Sequence, residues 1–191
     1  MKISFLVLFF LLAESVSAQE TPSVRDLKAG RFLEDSSFVY ALPYSKGKSH
    51  LLVQAYQSKL SHKGAYALDF KMKEGTTICA ARNGVVIALR EDSDKGGLKE
   101  EMLSEGNYII ILHEDGSQAH YWHLRKEGAL VNIGDTIVQG NPIGISGNTG
   151  YSAFPHLHFE VTFPGKGQVP TRFTTKKGTR YLRPGKWHKA V

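Results

Sequence analysis

Three short segments hold the side chains able to do chemistry near neutral pH. They are SHKGAYALDF with His62 and Asp69, HYWHL with His120 and His123, and PHLHFEV with His156 and His158. Imidazole is the commonest protein metal ligand and the usual general base in this pH range. A strand has a side-chain period of two, so His156 and His158 share one face while Leu157 and Phe159 take the other. The apolar pair can enter a core and leave two imidazoles side by side on the opposite surface. In ALDF the same alternation turns Asp69 away from Leu68 and Phe70. In HYWHL it separates the histidines, His120 sharing a face with Trp122 and His123 with Tyr121, so one of the two is expected at a common site. Two imidazoles and a carboxylate with a fourth position open form a catalytic zinc arrangement, because structural zinc sites are closed and usually thiolate-bound. The lone cysteine, Cys79, excludes both a thiolate cluster and an intramolecular disulfide. Between the apolar and small neighbours of TTICAA it reads as a small buried hydrophobe.

Such groups need a framework of strands. β-branched and aromatic runs punctuated by Gly, Asn and Pro predict strands at 50–56, 66–71, 77–80, 84–90, 107–113, 118–124, 129–131, 142–146 and 156–163. Asp115-Gly116 between the fifth and sixth is a hairpin signal. One short helix is expected, over LKEEMLS (98–104). The pattern predicts an all-β fold, an antiparallel sandwich or barrel-like domain with little helix. The Gly-rich run GNTGYSAFP lacks the Lys and helix of a phosphate loop and reads as a tight loop shaping a cleft.

Met1–Ala18 has the form of a secretory signal: Lys2, an apolar run from Ile3 to Leu12, and Val16-Ser17-Ala18 for cleavage before Gln19. Ten apolar residues fall short of the ~20 of a membrane-spanning helix, so no transmembrane anchor is expected after cleavage. The reading is an exported protein in the periplasm, the cell envelope or the medium. The net charge is +6, yet residues 162–191 carry eight Lys and Arg and no acid, leaving a balance of −2 for the rest. A basic face suits an anionic envelope polymer, or equally an edge strand guarded by Lys and Arg. An exported chain rarely meets nucleic acid, and none is expected as a partner. Residues 19–48 read as an N-terminal arm and 164–191 as a basic segment packed on the domain edge.

Over about residues 54–163 the sequence resembles the lysostaphin/LytM-type zinc endopeptidases that cut peptides of bacterial peptidoglycan. The resemblance rests on ALDF, EGTTICAARNGVV, NYIIILHEDG leading to YWHL, VNIGDTIVQGNPIGISGNTGYS, and PHLHFEV. It implies a LytM-type peptidase domain over 49–163, a barrel-sandwich hybrid, with peptidoglycan peptides as substrate. By position it makes His62, Asp69 and His158 the Zn2+ ligands, and His123 and His156 the catalytic pair beside the metal. The implied reaction is attack of a metal-activated water on the scissile carbonyl, with Tyr121 as a further assistant or a packing residue. Catalytically silent wall-binding or amidase-activating members of this type usually lack some of these residues, and here all five positions are filled.

One departure stands out. The commonest family pattern has its first His four residues before the Asp, whereas His62 precedes Asp69 by seven. An odd spacing on an unbroken strand puts the two on opposite faces, so Lys63-Gly64 must turn the chain. His50, His113 and His188 are expected away from the site, with His113 facing solvent beside the hairpin turn.

Overall fold

A computed structural model describes residues 23–29 and 39–191. The signal sequence Met1–Ala18, with residues 19–22 and 30–38 of the arm, lies outside the described residues. The elements are a short helix α1 (Val24–Lys28) and strands β1 (Val39–Tyr40), β2 (Ser49–Gln54), β3 (Ala67–Lys71), β4 (Thr77–Cys79) and β5 (Gly84–Arg90). Next come β6 (Gly96–Gly97), a 3-10 turn over Glu100–Glu105, β7 (Tyr108–Leu112), β8 (Gln118–Trp122) and β9 (Leu124–Ala129). Then follow β10 (Thr136–Ile137), β11 (Pro142–Ser146), β12 (Gly150–Tyr151), β13 (His156–Phe163) and β14 (Gly167–Gln168). The series closes with β15 (Arg172–Thr175), β16 (Gly178–Arg180) and β17 (Lys186–Lys189).

The expected all-β class holds. A nine-stranded sheet runs β10-β5-β7-β8-β13-β3-β2-β17, with β14 on β13, and every pairing in it is antiparallel. Its inner face is set by alternation: Leu157, Phe159 and Val161 of β13, Leu68 and Phe70 of β3, Ile109 and Ile111 of β7 are all at most 1% exposed. The small sheet β4-β11-β9 brings Ile78, Ile143 and Leu124 to the same core, and the sheet β1-β15-β16 brings Tyr40 and Phe173. Phe159 sits at the centre, its ring edge-on to Tyr121 at 5.2 Å and to Phe173 at 5.9 Å. Emptying such a site, as in Phe159→Ala, costs about 3–5 kcal/mol.

Several local expectations are corrected. The strand expected at 129–131 lies earlier, at Leu124–Ala129, because Leu124 and Ala129 pair with Ser146 and Gly144 of β11. The helix expected over 98–104 is a 3-10 turn without buried residues, as a segment with little apolar face to pack would give. His113 does not face solvent. It is 3% exposed, its Nδ1 donates to the Asn83 carbonyl at 2.6 Å, and its ring meets Tyr40 edge-on. Within the arm, α1 is closed by a capping box between Ser23 and Asp26, and β1 pairs in parallel with β15. Among the described residues no helix is long and apolar enough to cross a membrane.

Candidate functional site

The outer face of the large sheet carries the predicted chemistry. β3 and β13 pair in the register His158↔Asp69 and His156↔Lys71, and side chains directly opposite in an antiparallel pair project to one face. Asp69 and His158 are therefore neighbours by strand pairing alone. His158 Nδ1 stands 3.0 Å from Asp69 Oδ1. His62 arrives from the loop before β3. Gly64, at φ +78°, supports the turn there, and Ala65 N donates to the His62 carbonyl at 3.0 Å. Positive φ is open to glycine without steric cost. The turn swings His62 Nε2 to 3.2 Å from Asp69 Oδ2, overcoming the odd spacing.

His123 reaches the cleft by a different route. Tyr121 of β8 faces the core, fully buried, and its hydroxyl accepts from Ala81 N at 2.8 Å. Strict alternation would send His123 inward with it. Instead His123 has φ 66°, so the chain reverses its pleat at that residue and the imidazole comes out on the Trp122 side. The assisting role open to Tyr121 is thereby excluded, since it is a core residue holding a backbone N–H. His120 also faces outward, but its Nε2 pairs with the Thr162 hydroxyl at 3.0 Å, away from the cluster.

Two groups of donor atoms result, His62–Asp69–His158 and His123–His156–His158, each with its atoms within 4.8 Å of one another. The first has two neutral-capable imidazoles and a carboxylate, the ligand types and number that a zinc ion takes at a site left open on one side. His62 Nδ1 is buried without a hydrogen-bond partner among the described residues, and Asp69 is 2% exposed. Burial alone would raise the Asp69 carboxyl, but His158 and His62 against it hold it well below the usual carboxylate range. Burial would likewise lower His158, and the Asp69 and Glu160 carboxylates together outweigh it, lifting the imidazole to about 9. The pocket thus favours positive charge at its centre.

The second pair of imidazoles has a defined tautomer. His123 Nδ1 lies 2.7 Å from the Thr149 carbonyl and His156 Nδ1 lies 2.7 Å from the Phe154 carbonyl. A carbonyl only accepts, so each Nδ1 carries hydrogen and each Nε2 keeps its lone pair. Burial, with the neighbouring imidazoles, pushes His123 down to about 3, and burial lowers His156 as well. Both are neutral bases at pH 7, their ring centres 4.6 Å apart.

Around these groups lies a cleft of about 580 Å³. The run from Tyr151 to Phe154 forms one wall, as the Gly-rich loop led us to expect, and Leu60, Leu98 and Leu103 form an exposed apolar rim. Two supporting residues escaped the sequence reading. Gln54 donates to Asp69 Oδ2 at 2.8 Å and, through its carbonyl oxygen, accepts from Ser61 N at 3.2 Å, tying β2 to the His62 loop. Glu160 Oε2 lies 3.5 Å from His158 Nε2, on the far side of that ring from Asp69. Glu160 was legible in principle, being two residues after His158 on the same strand face. Gln54 was not, because its position follows from a register shift between β2 and β3.

Residues 62–170, more than half of the chain, match the model of peptidase family M23. Peptidoglycan DD-endopeptidase ShyA of Vibrio cholerae is 36% identical over 98 residues, 51% of this chain and 20% of that protein. Lysostaphin of Staphylococcus staphylolyticus is 38% identical over 96 residues, 50% of this chain and 18% of that protein. The chain thus spans about a fifth of the length of these curated relatives. Among solved structures, the M23 metalloprotease pseudoalterin, described as from the deep sea, superposes with a TM-score of 0.54 at 21% identity, over 81% of this chain and 96% of that one. At that identity it is a likeness of fold, and the fold is the LytM type that the resemblance implied.

Proposed function

The chain belongs to peptidase family M23, and from that premise we propose that it is an exported zinc-dependent endopeptidase acting on peptide bonds of bacterial peptidoglycan. The observation that carries this reading is the convergence of all five candidate side chains on one cleft. His62, Asp69 and His158 would hold the ion, and His123 and His156 stand beside them with Nε2 lone pairs free. A zinc ion bound there supplies Lewis acidity, to an attacking water and to the scissile carbonyl. The protein's own groups do the rest. One imidazole takes the water proton on Nε2 as the carbonyl carbon is attacked, and its Nδ1–H bond to a backbone carbonyl steadies the charge it gains. That same Nε2–H then passes its proton to the departing amine nitrogen as the C–N bond breaks, while the second imidazole, also neutral, accepts from the water's other O–H and orients it. Gln54 holds the Asp69 carboxylate by a hydrogen bond, and the Glu160 carboxylate flanks the His158 ring from its other side. Export is supported by the form of Met1–Ala18, and intact mass of the exported protein should begin near Gln19.

A filled ligand set and a preset tautomer in both bases support an enzyme over a silent wall-binding module. The test is digestion of several purified peptidoglycans with mass analysis of the released peptides. New peptide ends that depend on zinc are expected. Intact wall after incubation with zinc-loaded protein would return the chain to the silent class.

A further inference from the structure

The edge of the large sheet holds a cluster that the peptidase site does not use. β17 presents Trp187, 70% exposed, between Lys186 and His188. A cavity of about 470 Å³ beside it is lined by Lys28 of α1, the five bases from Lys176 to Lys186, and Lys189, with no carboxylate in its walls. Among the described residues none of these seven cations forms an ion pair. Arg180 Nε is buried without a partner. The crowding is felt inside the protein, since burial and then Arg183 and Arg180 lower Lys28. Seven uncompensated cations around one concavity repel each other until an anion enters. Only Lys186 and Lys189 of the seven lie on β17 itself, so guarding of that edge strand does not account for the cluster.

The register connects this edge to the candidate active site. Trp187 pairs with Leu51, Leu51 with Lys71, and Lys71 with His156, one row across β17, β2, β3 and β13. Residues in such a row project to the same face. Three interstrand spacings separate Trp187 from His156, or about 14 Å. A linear polymer lying across the strands would touch both.

We propose that this edge anchors an acidic glycan strand, a sugar ring stacking on the Trp187 indole while its carboxylate or phosphate groups meet the surrounding Lys and Arg. The indole supplies a flat apolar face against which the C–H face of a sugar can be buried. That the anchored strand also carries the peptide to be cut rests on the peptidase reading above.

The test uses the full chain and three probes: polygalacturonate, neutral dextran, and a short DNA duplex. Polygalacturonate should bind, dextran should not, and Trp187→Ala should weaken polygalacturonate binding by about tenfold or more, as for a central aromatic contact. The paired change Lys176→Gln with Lys177→Gln should flatten the salt dependence. Because Trp187 is exposed, its variant should melt with the wild type. Equal binding by wild type and Trp187→Ala overturns the proposal, and so does duplex DNA that binds as tightly with no need of Trp187. A kinetic arm tests the link to the peptidase. Trp187→Ala should slow cleavage of intact wall and leave cleavage of released, cross-linked peptide dimers unchanged. Equal slowing of both would overturn the anchoring role. Cleavage of neither by the wild type, with glycan binding intact, would remove the peptidase reading and leave the glycan site standing.

Discussion

β13 and the end of β8 bring histidines to the same cleft by opposite means. β13 is regular from His156 to Glu160, so period two alone sets His156, His158 and Glu160 along one face. β8 stops at Trp122, and His123 gets there only by adopting φ 66°, a conformation that L side chains resist. What holds it is the loop 147–150: Gly147 N donates to the His123 carbonyl at 2.9 Å and Thr149 supplies the carbonyl for Nδ1. The lesson is that a residue inside a strand inherits its position from pairing. A residue at a break inherits it from whichever loop grips it. The half of the site proposed to hold the metal is mostly of the first kind, and the proposed catalytic half is split between the two.

The largest expected effect is loss of the ligand set. Asp69→Ala, His158→Ala and His62→Ala should each lose zinc on dialysis against a mild chelator and fall to background activity, while His50→Ala keeps both. His62, the one proposed ligand brought in by a turn, sharpens the contrast. A zinc-replete His62→Ala protein beside a zinc-free His50→Ala protein would falsify its assignment. Next in size, His123→Ala and His156→Ala should keep zinc and lose about 10²–10⁴-fold in wall cleavage, the usual worth of a positioned proton-transfer group. Should either emerge metal-free, it is a ligand and the roles must be redrawn.

A smaller effect separates the two routes directly. A Cβ on Gly150 would stand 2.6 Å from Gly106 Cα, at a φ of +80°, so Gly150→Ala must shift the backbone that carries the Thr149 carbonyl. Up to about 10²-fold loss of turnover with unchanged zinc content is expected, since displacements of ~1 Å cost that much. Unchanged turnover would show that the loop does not govern His123. The smallest effect concerns pH. Burial holds His113 below its ordinary pKa of 6.5, so the folded state resists its protonation and the unfolded state does not. Its stability is therefore complete above about 6.5 and declines as pH falls below that value. His113→Gln should flatten the fall in melting temperature between about pH 6.5 and 5, and an unaltered slope would assign the decline to other groups.

This division explains what the sequence could tell. β13 coincides with its expected range because alternation, burial and β-branched content agree along it. Asp69 followed from Leu68 and Phe70 pointing inward. His123 lines the cleft as expected, but beside Trp122 and not Tyr121, because no pattern of types announces a positive φ at a histidine. His113 was misplaced, and Tyr121 left between an assisting and a packing role, for a related reason. Each is a polar ring buried around a single backbone partner, Ala81 N for one and the Asn83 carbonyl for the other, and those partners lie far away in the chain. The apolar rim of Leu60, Leu98 and Leu103 comes from loops, where exposed leucines carry no periodic signal.

The meeting of early and late strands has a consequence in time. β1 is hydrogen-bonded to β15, β2 to β17, and the Tyr44 hydroxyl donates to the His188 carbonyl at 2.7 Å. These contacts close loops of well over a hundred residues, whose entropy must be lost before any contact repays it. Folding by this chain is therefore expected to be slow. During synthesis or export, the edge next to β2, and with it Trp187, can form only once β17 is available to pair with it. Until then β2 presents a bare edge open to pairing with other chains.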